Sequence, residues 1–341
     1  MQRLMWRVMM KDIYLFANGI GETIRTLIIA YLILTFVFTV YSIARMYYIE
    51  HISNDVKGGR SRVKELSALG KFKQFPVYSM EDMAKDKHKR DVKLMFFPAD
   101  KPKSKRFIVV LPGGGYAHLC TKQEGYPVAA ALNQKGINAF VLEYRTGRDC
   151  ELFAPMEDLG EALKLIQNNL DKFDVTMDGY GLMGFSAGGN LAGIFASHKY
   201  GYLDFQLPKP GVIILGYPWT CVNDWLHHPY WNIWIGLMGI WLSNRGSFYM
   251  FGLRHIRKGR ELLDVQQYIE EDYPPTFMYS GSWDVLVPAS RHADVFDAAL
   301  TAKGVKKQYE KHFGVPHGIG LGLHTKAEGW LDRAIAFWEE N

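Results

Sequence analysis

Ser186 lies in the sequence GFSAG (residues 184–188), where small residues flank a single hydroxyl directly after an apolar run. Glycine and alanine allow the chain to turn sharply after a strand, so that the serine is presented above the edge of a sheet. The Ala-rich stretch that follows is typical of a helix, whose first N–H groups stabilise negative charge. An ordinary glycine–serine turn is the alternative; the position between strand and helix favours a nucleophile.

A nucleophilic serine needs N–H donors for the oxyanion that forms during acyl transfer. The sequence LPGGGYAH (111–118) follows the predicted strand RFIVV, and its three glycines allow backbone N–H groups to approach a substrate. No Gly-Lys-Ser/Thr follows, which excludes a nucleotide phosphate loop. We expect the oxyanion donors to be Gly114, Gly115 and Ala187.

A base and an orienting acid follow in the order Ser, Asp, His. Asp284 lies in GSWDVLVP and His317 in FGVPHGIGLG, each in a loop after a predicted strand. Both therefore fall at the same edge of the sheet as Ser186. In this hypothesis His317 takes the proton of Ser186, and Asp284 orients the imidazole ring.

Other residues compete for these roles. The sequence contains 11 histidines, of which His312 falls within a predicted strand and His324 lies further along the chain. Asp264 is a distant rival of Asp284. We favour His317 because it alone lies in a tight Pro/Gly loop at the predicted site.

Strand-like and helix-like stretches alternate along the chain from about residue 91. This pattern predicts an α/β fold with a mostly parallel central sheet covered by helices on both faces. The strand candidates are residues 106–112, 137–145, 179–186, 211–218, 275–282 and 306–313.

Residues 26–44 contain no charged side chain and lie between Arg25 and Arg45. At about 1.5 Å per residue such a helix nearly spans the hydrocarbon core of a bilayer. We predict an N-terminal tail (1–25) followed by a single transmembrane helix, and favour this over a cleaved signal peptide because no small-residue cleavage site follows. The flanking charges do not decide orientation; we favour an extracytoplasmic main domain.

Charge is distributed unevenly. Residues 45–106 carry 16 Lys/Arg against 8 Asp/Glu, whereas residues 107–341 carry 20 against 25. The acidic main domain argues against nucleic-acid binding. Residues 45–90 are predicted to be a basic linker or amphipathic lead-in, with contact to anionic lipid as the alternative. The three cysteines form no closed disulfide set.

Several motifs together resemble the α/β-hydrolase superfamily, and within it the acetyl-esterase and acetylxylan or feruloyl esterase-like group near the hormone-sensitive-lipase branch. They are LPGGGY, EYR, MEDLGEALKLIQ, GLMGFSAGGNLA, PPTFMYSGSWDVLVP and VPHGIGLG. The resemblance covers roughly residues 90–341 and implies hydrolysis of carboxylic esters through an acyl-enzyme, with no metal and no organic cofactor. Pro112 departs from that branch, which commonly has a histidine before its glycines.

The expected substrate is a small acyl ester or an acylated carbohydrate. Within the catalytic domain (91–341), the Trp-rich insertion 222–272 is expected to form a cap over the pocket, or else an apolar surface resting on the membrane. A serine peptidase of related fold and a non-catalytic, membrane-tethered binding module are the alternatives.

Overall fold

The computed structural model describes residues 2–147, 154–222, 232–251 and 256–341. Eight strands form one sheet in the order β1-β2-β4-β3-β5-β6-β7-β8. The strands are β1 (Lys73–Pro76), β2 (Lys93–Phe97), β3 (Phe107–Leu111), β4 (Asn138–Glu143), β5 (Gly181–Phe185), β6 (Val212–Gly216), β7 (Thr276–Gly281) and β8 (Lys307–His312).

The sheet is parallel from β4 to β8, and β1 and β2 extend it antiparallel at one edge. The six predicted strands correspond to β3–β8, and the predicted mostly parallel sheet is confirmed. The sequence analysis did not identify β1 and β2 as strands.

Helices cover both faces of the sheet. The helices of the described residues are α1 (Gln2–Ser53), α2 (Val56–Ala68), α3 (Met80–Lys85), α4 (Tyr126–Gln134), α5 (Ala154–Gln167), α6 (Leu170–Phe173), α7 (Ala187–Phe195), α8 (Ile233–Phe251), α9 (Ile256–Leu262), α10 (Ala293–Ala302) and α11 (Trp330–Glu339).

Side chains of the central strands alternate between two apolar clusters, one on each face of the sheet. On β3, Val109 packs in the cluster that contains α5, α7 and α10. Its neighbours Ile108 and Val110 pack in the cluster that contains α2, α4 and α11. Because both faces are buried, the strand reads as a continuous apolar run.

Residues 45–90 are not a linker. They contain the end of α1, all of α2 and α3, and strand β1, which pairs with β2. Leu66 of α2 is fully buried in the core, and the guanidinium of Arg62 is buried against Asn133 Oδ1, 2.8 Å from its Nε. Many charged side chains of this segment lie on the exposed side of packed helices. Their number gives the segment the composition of a solvated linker although it is folded.

Helix α1 is continuous across the predicted span 26–44. Among the described residues, one stretch, Gly21–Ala68, which includes most of α1 and all of α2, contains a window long and apolar enough to cross a membrane. Length and composition alone fit a membrane span or a signal sequence. Most apolar side chains of residues 27–41 are exposed in the isolated chain.

Helix α8, from the Trp-rich insertion, packs along α1. Asn232, at its start, is buried and donates from Nδ2 to the backbone oxygen of Thr35 at 3.2 Å and to Thr39 Oγ1 at 3.1 Å. Trp234 donates from Nε1 to the backbone oxygen of Leu32 at 3.1 Å. The backbone oxygens of Leu32 and Thr35 and the hydroxyl of Thr39, all within the apolar run of α1, are thus paired with α8. Trp225 and Trp231 of the insertion lie outside the described residues.

Candidate active site

Ser186 lies between the last residue of β5 and the first residue of α7. Its backbone has φ 50° and ψ −115°, a conformation that L-residues rarely adopt. The turn requires small neighbours, because a Cβ at Gly184 would lie 2.2 Å from the backbone oxygen of Gly188. The sharp turn predicted for GFSAG is present, and the helix N-terminus lies beside the serine.

The structure brings His317 and Asp284 to Ser186. His317 Nε2 lies 3.0 Å from Ser186 Oγ, and His317 Nδ1 lies 2.6 Å from Asp284 Oδ2. Asp284 Oδ1 accepts the backbone N–H groups of Leu286 at 3.0 Å and Val287 at 2.7 Å. The acid is therefore fixed by its own loop, and the chain of contacts has the geometry of a nucleophile, a base and an orienting acid.

Burial and neighbouring charges act in opposite directions on His317. Burial disfavours the imidazolium, but the charge and hydrogen bond of Asp284, together with Glu124, outweigh it, so the pKa of His317 is raised above its usual value. The surroundings therefore stabilise the protonated ring that forms when the serine loses its proton.

The rival residues do not reach this arrangement. His312 Nε2 pairs with Glu310 at 3.2 Å, and His324 is exposed. Asp264 precedes the 3-10 turn Val265–Tyr268 and does not line the cavity beside Ser186.

The glycine loop lies beside the serine as predicted. Gly114 and Gly115 have φ of 126° and 62°, which glycine alone adopts without strain, and both line the same cavity as Ser186. Ala187 is the first residue of α7, where the N–H group has no carbonyl partner one turn earlier in the helix. Gly113 serves another purpose, since its N–H donates to Glu124 Oε2 at 2.6 Å.

Glu124 is a buried carboxylate that the sequence analysis missed. Its Oε1 accepts the hydroxyl of Tyr217 at 2.8 Å, and this hydroxyl accepts the N–H of Gly320 at 3.0 Å. The Tyr217 ring lies 4.7 Å from the His317 ring, centroid to centroid. Glu124 thereby connects the glycine loop to the loop that carries His317. Burial raises the pKa of Glu124, against the effect of its two hydrogen bonds.

Asn190, one turn into α7, joins three further segments. Its Oδ1 accepts the hydroxyl of Tyr116 at 2.9 Å, and its Nδ2 donates to the backbone oxygens of Trp219 at 2.9 Å and Leu263 at 2.7 Å. The glycine loop and the loop after β6 are therefore both fixed to the helix that begins beside Ser186.

A cavity of about 560 Å³ opens beside Ser186 and His317. The glycine loop forms one wall. The end of α1 forms another, with Ile43, Met46, Tyr47 and Glu50, and α8 contributes Met238, Trp241 and Arg245. The volume is typical of a small-molecule site and larger than an acetyl group requires.

Several known proteins are similar to this chain in sequence and in fold. A protein-family model described as BD-FAE matches residues 94–207. An acetylxylan esterase from Xylanibacter ruminicola is 30% identical over 69% of this chain and 45% of its own length. A crystal structure of an acetyl ester-xyloside bifunctional hydrolase from Caldicellulosiruptor lactoaceticus is 25% identical and superposes with a TM-score of 0.62, covering 79% of this chain and 96% of that one. The chain belongs to the α/β-hydrolase superfamily.

Within the superfamily, the sequence of this α/β hydrolase is similar to the acetyl- and feruloyl-esterase-like group. The endo-1,4-beta-xylanase B of Butyrivibrio fibrisolvens is 26% identical over 65% of the chain and 34% of its own length. The chain thus spans less than half the length of these two curated relatives. A carboxylesterase from Lactobacillus plantarum, 18% identical over 73% of this chain and 92% of that one with a TM-score of 0.58, shares the fold.

Two motifs of this α/β hydrolase, EYR and MEDLGE, meet in a buried ion pair. Arg145 Nε donates to Asp158 Oδ1 at 2.9 Å, and Arg145 Nη2 donates to Glu157 Oε2 at 2.6 Å. The hydroxyl of Tyr78 also donates to Asp158 Oδ1, at 2.7 Å. The motifs therefore join β4 and α5, and do not line the cavity.

One group of residues in the described part of the chain has the spacing of a cation site. The ligand atoms of His198, Glu270 and Asp272 lie within 4.8 Å of one another. His198 already pairs with Glu270 at 2.8 Å and with Asp272 at 3.1 Å. Because these contacts of His198 account for the geometry, we assign no metal to the group.

Proposed function

We propose that this protein is a membrane-anchored serine esterase that hydrolyses small acyl esters, including acetyl esters of carbohydrate, through an acyl-enzyme. The observation that carries the proposal is the pair of contacts made by His317, 3.0 Å to Ser186 Oγ and 2.6 Å to Asp284 Oδ2. The names of the acetylxylan esterase and of the acetyl ester-xyloside hydrolase support the choice of acyl group and alcohol.

Acylation begins when Ser186 Oγ attacks the ester carbonyl and its proton passes to His317 Nε2. The negative charge that develops on the carbonyl oxygen is accepted by the N–H groups of Gly114, Gly115 and Ala187. Asp284 holds Nδ1–H and stabilises the imidazolium. As the carbon–oxygen bond breaks, His317 returns its proton to the departing alcohol, which leaves the acyl group on Ser186.

Deacylation repeats these steps with water as the nucleophile. His317 takes a proton from the water that attacks the acyl carbonyl, and then gives it to Ser186 Oγ as the acid is released. No redox step and no electrophile other than the backbone N–H groups is required. In this mechanism His317 accepts and then returns each proton that is transferred.

The packing of α1 supports a retained membrane span over a removed signal sequence. Its residues just beyond the apolar run line the cavity, and Arg45 Nη2 donates to the backbone oxygen of Gly314 at 2.9 Å. Cleavage after the apolar run would remove Ile43 from this wall, and with it the backbone oxygens of Leu32 and Thr35 that hold α8. We therefore propose a single-pass protein, and place its catalytic domain on the extracytoplasmic side, which the sequence analysis favours.

Hydrolysis of p-nitrophenyl acetate, butyrate and octanoate by the full chain in detergent tests the proposal. We expect turnover of the acetate that is lost in Ser186→Ala and falls with chain length. Folded protein that shows no more activity than Ser186→Ala would overturn the esterase and favour a peptidase or a non-catalytic module. Treatment of intact cells with an external protease would test the orientation, because only an extracytoplasmic catalytic domain would be cleaved.

A further inference from the structure

The walls of the cavity place the proposed esterase at the surface of the bilayer. Tyr47 and Trp241 both line the cavity and are 64% and 55% exposed, so they mark its rim. Tyr47 is three residues beyond the uncharged run 26–44, which is about 5 Å along a helix. If that run spans the membrane, the rim lies at the level of the lipid headgroups.

Helix α1 holds this position firmly. The guanidinium of Arg45 lies 4.5 Å from the Trp283 ring, and Asn54 Nδ2 donates to the backbone oxygen of Gly318 at 2.8 Å. Trp283 and Gly318 are the direct neighbours of Asp284 and His317 in the chain. No flexible linker therefore separates the apolar run from the catalytic loops, and the site cannot move far from the bilayer.

Helix α8 extends the apolar surface of α1. It begins beside Thr35 and Thr39 in the middle of the apolar run and continues to the rim at Trp241. Ile233 and Leu237 on this helix are 43% and 54% exposed and do not line the cavity. Exposed apolar side chains next to a span, ending in aromatic residues, are typical of a surface immersed in lipid.

We propose that the substrate is an acyl ester of a membrane amphiphile, which enters the cavity from the bilayer at the rim formed by Tyr47 of α1 and Trp241 of α8. The apolar part of the amphiphile remains among the lipid chains, and its ester, at headgroup level, reaches Ser186. The cavity of about 560 Å³ leaves room for the alcohol portion beside a small acyl group. This inference rests on the proposed esterase activity and gives it a substrate class.

The test uses the full chain in phosphatidylcholine nanodiscs with two acetyl esters, dioleoyl-acetyl-glycerol in the bilayer and p-nitrophenyl acetate in the water. The double variant Ile233→Glu/Leu237→Glu disturbs the lipid-facing surface without touching the cavity. We expect it to lower the rate on the lipid ester at least tenfold relative to the rate on p-nitrophenyl acetate. The matched control is Met80→Glu/Leu203→Glu, because these apolar residues are 82% and 51% exposed and lie outside α1 and α8. It should leave the ratio of the two rates unchanged.

Hydrolysis of p-nitrophenyl acetate without Ser186-dependent hydrolysis of the lipid ester would overturn the inference and leave the proposed esterase standing. The same holds if the double variant leaves the ratio unchanged. If Ser186→Ala alters neither rate, the esterase itself is wrong, and the inference fails with it. Should the double variant not fold, Leu237→Gln replaces it and is expected to lower the same ratio.

Discussion

At the scale of the residue, the charge on the ring of His317 decides the chemistry. Its Nδ1 faces a carboxylate whose other oxygen is held by two backbone N–H groups. Asp284 therefore cannot turn away, and Nε2 is kept as the atom that faces Ser186 Oγ at 3.0 Å. This fixed direction is what the proposed role of His317 as a base requires.

Replacing Asp284 by Asn should leave the fold intact and reverse this arrangement. The amide would donate toward Nδ1 and favour the tautomer with the proton on Nε2, which cannot accept from Ser186. We expect the turnover number on p-nitrophenyl acetate to fall by about a thousandfold or more, with little change in the melting temperature. Activity within tenfold of the unaltered protein would exclude Asp284 as the orienting acid.

Replacing Glu124 by Gln should change the pH profile. The carboxylate contributes to the raised pKa of His317, so its removal should lower that pKa. Activity requires the neutral ring and is lost as the pH falls through the pKa; the acidic limb of kcat/KM should therefore shift to lower pH. The exposed Glu271→Gln is the matched control and should not move the limb. An unmoved limb in Glu124→Gln would show that the two groups are not coupled.

The placement of Ser186, Asp284 and His317 at one edge of the sheet could be predicted because each lies in a loop directly after a predicted strand, among glycines or prolines. Glu124 could not, because an acidic residue in TKQEG has no local signal that separates it from a surface carboxylate. Its burial depends on Tyr217 and on the N–H of Gly113, which lie 93 and 11 positions away in the chain. Such a contact becomes visible only once the sheet has brought the loops together.

At the scale of the element, the turn from β5 to α7 depends on a close approach of two backbones. A Cβ at Gly188 would lie 2.1 Å from the backbone oxygen of Leu111, the last residue of β3. The strand cannot move aside, because it is hydrogen-bonded to β4 and β5 on both sides. The glycine is thus required by packing, and the serine it follows is positioned by the sheet.

Gly188→Ala should accordingly lower the free energy of unfolding by about 3 kcal/mol, through steric overlap. Gly304→Ala is the matched control: Gly304 has φ 68° but no atom within 4 Å of its Cβ position. It should cost about 1 kcal/mol from backbone strain alone. Denaturant unfolding of both variants would measure the two losses in the free energy of unfolding. Equal losses would contradict the claim that packing requires glycine at position 188.

The central strands were predictable because burial on both faces makes them unbroken apolar runs. Strand β1 was missed for the opposite reason, since its four residues KQFP are mostly exposed at the edge of the sheet. Helix α2 was hidden by its charges; only the packed structure shows that Leu66 and the side chain of Arg62 face inward.

At the scale of the whole molecule, the apolar helix and the catalytic domain form one unit. Arg45 touches both catalytic loops, by its hydrogen bond to Gly314 and by its position over the Trp283 ring. Sequence composition identified the apolar run by its length. It could not show that the helix continues into the wall of the cavity, because that depends on packing between residues more than 200 positions apart.

Arg45→Ala should therefore reduce catalysis although Arg45 lies outside the cavity. A small displacement of the two loops misaligns His317 and Asp284, and we expect turnover of p-nitrophenyl acetate to fall about tenfold. Arg25→Ala is the matched control at the other end of the apolar run, where the guanidinium only approaches Glu22 at 3.8 Å. Equal activity of the two variants in the same detergent would show that α1 does not support the site.

The central claim is that Ser186 is the nucleophile. The most direct measurement is mass spectrometry of the full chain after reaction with a fluorophosphonate, which forms a covalent bond to an activated serine. The account predicts one adduct on the peptide that contains Ser186, absent from Ser186→Ala and strongly slowed in Asp284→Asn. Folded protein that stays unlabelled, or that is labelled at another residue, would contradict it.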